Sequence, residues 1–73
     1  MNTNLLKSKM VLFADTNATL AKAIGLSPQR LSAKINATKG AEFTQTEIMS
    51  IKSRYSLTTE EVEDIFFLKR YLI

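Results

Sequence analysis

The chain contains no cysteine and no histidine, and only two glycines and one proline occur in its 73 residues. Without cysteine there is no disulfide and no thiolate nucleophile. Without histidine, the commonest zinc ligand and the usual general base near neutral pH are missing. No glycine-rich phosphate loop is present, and the acidic residues mostly mark helix starts. The sequence therefore predicts no enzyme activity, no metal site and no cofactor.

A chain of this length, with 45% apolar and 23% charged residues, has the composition of one small globular domain. No segment approaches the roughly 20 apolar residues that a membrane span requires. The first nine residues also lack the apolar stretch of a signal peptide. We therefore expect a cytoplasmic protein with no membrane contact.

The net charge of +3 is unevenly distributed. Residues 1–54 carry eight Lys or Arg against three acidic residues, a net charge of +5, whereas residues 55–73 carry two against four, a net charge of −2. A basic N-terminal part suits a phosphate backbone, and an acidic C-terminal segment suits a surface that faces away from it. A solvated surface with scattered charge explains the same counts equally well.

Cap signals and apolar spacing predict an all-α domain. Thr44 to Glu47 and Thr58 to Glu61 each have the pattern of a capping box, and Ser27 before Pro28 marks another helix start. The predicted helices lie at about 4–14, 17–23, 28–36, 45–54 and 59–66, and residues 67–73 form an apolar C-terminal tail. The expected core residues are Leu6, Met10, Phe13, Leu20, Ala21, Ile24, Leu31, Ile35, Phe43, Met49 and Tyr55.

The segment 17–36 predicts a helix-turn-helix. Gly25 follows the first helix, where a tight turn needs a residue that tolerates positive φ. Ala21 is small enough for a close helix crossing, and Leu26 and Leu31 supply apolar contacts between the two helices. An ordinary helical hairpin with a glycine turn is the alternative.

The motifs LAKAIGLS (20–27), LSAKIN (31–36) and FTQTEI (43–48) resemble the short helix-turn-helix proteins of the Cro and repressor family from temperate phages of Gram-positive hosts. The chain is also similar to the lactococcal phage antirepressors called modulators of repression. The resemblance covers residues 5–67. It implies four or five helices and a regulator of a lysis–lysogeny switch that opposes the resident repressor. The chain departs from the family at Asn36-Ala37, where many relatives have glycine.

A helix at 27–36 that lies in the major groove of operator DNA presents its N-terminal residues and one face to the bases. Gln29 can bond to adenine, and Ala33 offers a methyl group to thymine. Cationic side chains and the helix start at Asn17 are expected to meet phosphates. The candidate DNA-binding residues are Asn17, Ser27, Gln29, Arg30, Ser32, Ala33, Lys34, Asn36 and Lys39.

A second hypothesis is a protein-binding antirepressor that forms a direct complex with the cognate phage repressor and binds DNA weakly or only in that complex. It follows from the modest charge, from Pro28 where relatives often place a hydrogen-bonding side chain, and from the acidic, apolar C-terminal segment. Its candidate partner-binding residues are Glu60, Glu61, Glu63, Asp64, Phe67 and Tyr71. Complementation of the helix dipole explains at least Glu60 and Glu61 without a partner. The apolar tail is a possible homodimer contact.

Overall fold

Polar N-cap residues begin every α-helix of the domain. The computed structural model describes residues 2–67, apart from the side chain of Lys39. Its α-helices are α1 (Thr3–Leu12), α2 (Asn17–Ile24), α3 (Pro28–Ile35), α4 (Gln45–Tyr55) and α5 (Thr59–Val62). A side-chain oxygen of the N-cap residue accepts from the third helical N–H in each of them. Both predicted capping boxes form, at Thr44 and at Thr58.

The predicted all-α class with five helices is confirmed, and residues 2–67 contain no strand. Two boundaries differ from the prediction by more than one residue. α1 ends at Leu12 because Ala14 adopts a left-handed conformation with φ of 59°. The last helix leaves the α-helical pattern after Val62 and continues as a π-helical turn over Glu63–Phe67. That turn lies against the start of α1, where the Asn2 N–H donates to the Ile65 carbonyl at 2.7 Å.

One apolar cluster joins the five α-helices and the π-helical turn. Its buried members are Leu6, Met10, Leu20, Ala21, Leu31, Ile35, Ile51, Tyr55, Leu57 and Ile65. Two predictions of burial are wrong, since Phe13 is 46% exposed and Met49 is 51% exposed. Phe13 follows the end of α1 and lies beside the ring of Tyr55, with the ring centroids 5.0 Å apart. Ile24 and Phe43 are half-buried and pack against the cluster.

The exit from α3 carries backbone strain. Ala37 has φ of 54°, and it precedes a 3-10 turn over Thr38–Gly40. The left-handed region costs an L-residue such as alanine roughly 1–2 kcal/mol, which glycine does not pay. No helix within residues 2–67 has the length and apolar character needed to cross a bilayer.

Candidate nucleic-acid interface

Helices α2 and α3 are joined by a three-residue turn, Gly25 to Ser27. Gly25 adopts φ of 79°, as the sequence predicts, and the Leu26 N–H then reaches back to the Ala21 carbonyl at 2.8 Å. Ala21 and Leu31 are completely buried in the core. The connection has the length and the glycine typical of a helix-turn-helix.

The start of α3 is exposed and capped. The Ser27 hydroxyl accepts from the Arg30 N–H at 3.2 Å, and Pro28 occupies the first helical position, where no intrahelical donor is lost. Gln29 and Arg30 are both exposed. The Ser27 hydroxyl therefore serves as the cap of α3. The side chains of Gln29 and Arg30 are accessible to a ligand that approaches the start of the helix.

One face of α3 carries four of the predicted reading residues. Gln29, Ser32, Ala33 and Asn36 follow the i, i+3, i+4, i+7 spacing of a single helix face. Gln29 and Asn36 are exposed, and Ser32 and Ala33 are half-buried. Asn17 lies at the start of α2, and its Nδ2 donates to Ser32 Oγ at 2.9 Å. The fold thus brings Asn17 to the same face across 15 residues of sequence.

Lys34 does not lie where a phosphate contact requires it. Its Nζ is 2.7 Å from Glu47 Oε1, and the residue is only 7% exposed. The same Glu47 oxygen accepts from the Thr44 N–H, so Lys34 connects α3 to the start of α4. Burial opposes ionisation of Glu47, but the hydrogen bonds from Lys34 and Thr44 outweigh it and lower the pKa of Glu47. The phosphate contact predicted for Lys34 is therefore corrected to an internal ion pair. The side chain of Lys39 lies outside the described part of the chain.

The predicted partner-binding residues differ in exposure and in their contacts within the chain. The Glu61 carboxylate pairs with Lys9 at 2.6 Å and accepts from the Thr58 N–H at 2.9 Å, and these contacts lower the pKa of Glu61. Glu61 therefore connects α5 to α1 within the chain. Glu60 is exposed, and Glu63 is half-buried. Asp64 is half-buried as well, Phe67 is 44% exposed, and Tyr71 lies outside the described residues.

A polar cluster that was not predicted from the sequence is centred on Asp15, just before α2. The Arg54 guanidinium donates to both Asp15 oxygens at 2.7 and 2.8 Å. The Tyr55 and Thr19 hydroxyls donate to the same carboxylate at 2.7 and 2.8 Å. The Asp15 side chain is 4% exposed. Asp15 is the only acidic residue in the first 41, which is the one signal in the sequence that singled it out.

These contacts set the ionisation of the cluster. The hydrogen bond from Arg54 holds the pKa of Asp15 far below its ordinary value, against the effect of burial, and the Tyr55 and Thr19 hydroxyls add to this. Burial raises the pKa of Tyr55, and its bond to the Asp15 carboxylate raises it further. At neutral pH the carboxylate is charged and Tyr55 is neutral. The cluster therefore connects the start of α2 to the end of α4. Neither Asp15 nor Tyr55 changes its charge near neutral pH.

Comparison of the chain with models of protein families, with curated proteins and with solved structures finds no match.

Proposed function

We propose that the chain is a helix-turn-helix transcriptional regulator that binds operator DNA, with α3 in the major groove. The observation that carries this proposal is one face of α3, where the exposed Gln29 and Asn36 lie on either side of the half-buried Ser32, and Asn17 joins that face from α2. A face of amide and hydroxyl groups on a short, capped helix suits the edges of bases. The family resemblance supports a role in a phage lysis–lysogeny switch, opposite the resident repressor.

The phosphate contacts of this proposal differ from those expected from the sequence. Among the described side chains of residues 17–36, the exposed cations are Lys22 and Arg30. The free N–H groups at the start of α2 provide a further anion contact. With Lys34 withdrawn into an ion pair, we expect the salt dependence of binding to be modest.

The test is selection of binding sites from a pool of randomised DNA duplexes, followed by affinity measurements on the selected site and on a scrambled one. Gln29→Ala is expected to weaken binding to the selected site by about 1–3 kcal/mol and to relax the preference for adenine at one position. Binding to the scrambled duplex should stay unchanged. Gln45→Ala is the matched control, because Gln45 is an exposed glutamine at the start of α4. Equal losses of affinity for both duplexes would show that Gln29 does not read a base.

A second candidate function is the protein-binding antirepressor, which binds the cognate phage repressor directly. The observation that favours it is the burial of Lys34, which leaves the α2–α3 surface with fewer free cations than a tight DNA-binding protein usually has. Calorimetric titration of the purified chain into the resident repressor, without DNA, tests it. Heat of binding at micromolar concentrations supports a direct complex. No heat, together with tight binding of the chain alone to its selected DNA site, contradicts it.

A further inference from the structure

A hydrogen bond between Asn17 and Ser32 connects the two helices of the helix-turn-helix at the face of α3 that holds Gln29 and Asn36. The Asn17 side chain is exposed in the first turn of α2, and its Nδ2 donates to Ser32 Oγ at 2.9 Å. Ser32 is half-buried and lies between Gln29 and Asn36 along that face. A bond at this place therefore acts on a side chain that meets the bases when α3 lies in the major groove.

The start of α2 keeps Asn17 in position. The Thr16 hydroxyl accepts from the Thr19 N–H and so caps the helix. The Asp15 carboxylate, one residue earlier, accepts two hydrogen bonds from Arg54 of α4. These contacts fix the backbone that carries the Asn17 side chain, so little further ordering is required when a ligand binds.

The direction of the Asn17 bond determines what the Ser32 hydroxyl offers to a base. A hydroxyl group has one proton to donate and two lone pairs that accept. Asn17 uses one lone pair, and within residues 2–67 the Ser32 hydroxyl donates its proton to no group. Serine inside a helix commonly donates to the carbonyl four residues earlier, which here belongs to Pro28, and that bond is not formed. The Ser32 proton is therefore left for a ligand.

The bases differ in whether their major-groove edges accept such a proton. Guanine offers N7 and O6, adenine offers N7, and thymine offers O4. Cytosine offers only its N4 amino group, which is a donor. A donating Ser32 hydroxyl therefore matches three of the bases and does not match cytosine.

We propose that Asn17 is a positioning residue for Ser32, and that the pair selects against cytosine at one position of the DNA site. Ser32 donates to the base, and the bond from Asn17 leaves the Ser32 proton for that contact. This inference rests on the proposed binding of α3 in the major groove. It adds the base chemistry at one position, which the exposure of Gln29 and Asn36 does not supply.

Site selection from randomised duplexes, carried out with the unmodified chain and with Ser32→Ala, locates the base that Ser32 contacts. The preference at that position is expected to be lost in Ser32→Ala, because alanine has no hydroxyl. For the unmodified chain, cytosine at that position should weaken binding about three- to tenfold, the effect of one hydrogen bond. A preference for cytosine there, or the absence of any position that depends on Ser32, overturns the inference.

Two substitutions of Asn17 test its role through the base preference at the same position. Asn17→Ala should reduce the discrimination against cytosine, because the Ser32 hydroxyl is then free to donate to the Pro28 carbonyl and to accept from the base. Asn17→Asp should abolish it, because a carboxylate only accepts, so the Ser32 hydroxyl donates to it and keeps only a lone pair for the base. Relative affinities for the four bases are compared, since an added carboxylate weakens binding to all DNA alike.

Asn4→Ala is the matched control, since Asn4 is an exposed asparagine in the first turn of α1. It should leave the base preference unchanged, and circular dichroism checks that each variant is folded. A purely structural role for Asn17 weakens binding to all sequences equally. An unchanged preference at the Ser32 position in both Asn17 variants therefore overturns the positioning role.

The failure of this inference is distinguishable from the failure of the proposed function. If the unmodified chain selects a DNA site in which no position depends on Ser32 and Asn17, the proposed function stands and this inference is overturned. If the unmodified chain selects no site from the pool, both are overturned.

Discussion

Replacing Asp15 by Asn is expected to lower the free energy of unfolding by about 2–3 kcal/mol at pH 7. Breaking a fully buried ion pair costs about 3–5 kcal/mol, and the smaller figure applies because the Arg54 side chain is 38% exposed. Asparagine keeps the shape of the side chain but removes the charge that Arg54 and Tyr55 bond to. Urea unfolding followed by circular dichroism measures the difference.

The same substitution has a defined dependence on pH. The pKa of Asp15 is lower in the folded chain than in the unfolded one, where it is about 4. The unfolded state therefore binds the proton first, and the contribution of Asp15 to stability is full above about pH 5 and is lost as the pH falls toward the folded pKa. The stability difference between the unmodified chain and Asp15→Asn should shrink steadily below about pH 4. Glu42→Gln removes an exposed carboxylate and should change the stability by no more than about 0.5 kcal/mol at any pH. A difference for Asp15→Asn that stays constant down to pH 2 would contradict this role.

Replacing Lys34 by Met is expected to cost about 2–4 kcal/mol of stability, because it leaves the nearly buried Glu47 carboxylate without its cation. The double variant Lys34→Met with Glu47→Gln should recover part of this loss, since the amide still accepts from the Thr44 N–H. The coupling free energy from the double-mutant cycle measures the ion pair.

DNA binding gives an independent measurement on Lys34. A phosphate contact contributes about one unit to the slope of log affinity against log salt. Lys34→Met, assayed at a temperature where the variant is folded, should leave this slope unchanged. Arg30→Ala is the matched comparison, because Arg30 is exposed at the start of α3 and should flatten the slope by about one unit. A flatter slope for Lys34→Met would show that Lys34 contacts a phosphate after all.

Local chemistry made much of the fold predictable. An N-cap hydroxyl and its partner N–H are three residues apart, so Thr44 and Thr58 mark their helix starts from sequence alone. The spacing of Leu31 and Ile35 likewise identified the buried side of α3. The prediction that Met49 is buried was wrong, because an apolar residue on a helix of mixed composition fits either the core or the surface until the neighbouring helices are placed.

The sequence by itself determined where the helices of this protein begin, the turn at Gly25 and the face of α3 that holds Gln29, since each depends on contacts within one helical turn or on the φ that a residue tolerates. Only the tertiary structure decided what the charged residues do. Lys34 meets Glu47 across 13 residues, and Asp15 meets Arg54 across 39. Such pairs depend on how each helix is rotated and packed against the others, and the identity of a lysine carries no information about that rotation. Lys34 was expected to contact a phosphate, and its ion pair with Glu47 makes it an internal support of the candidate interface instead.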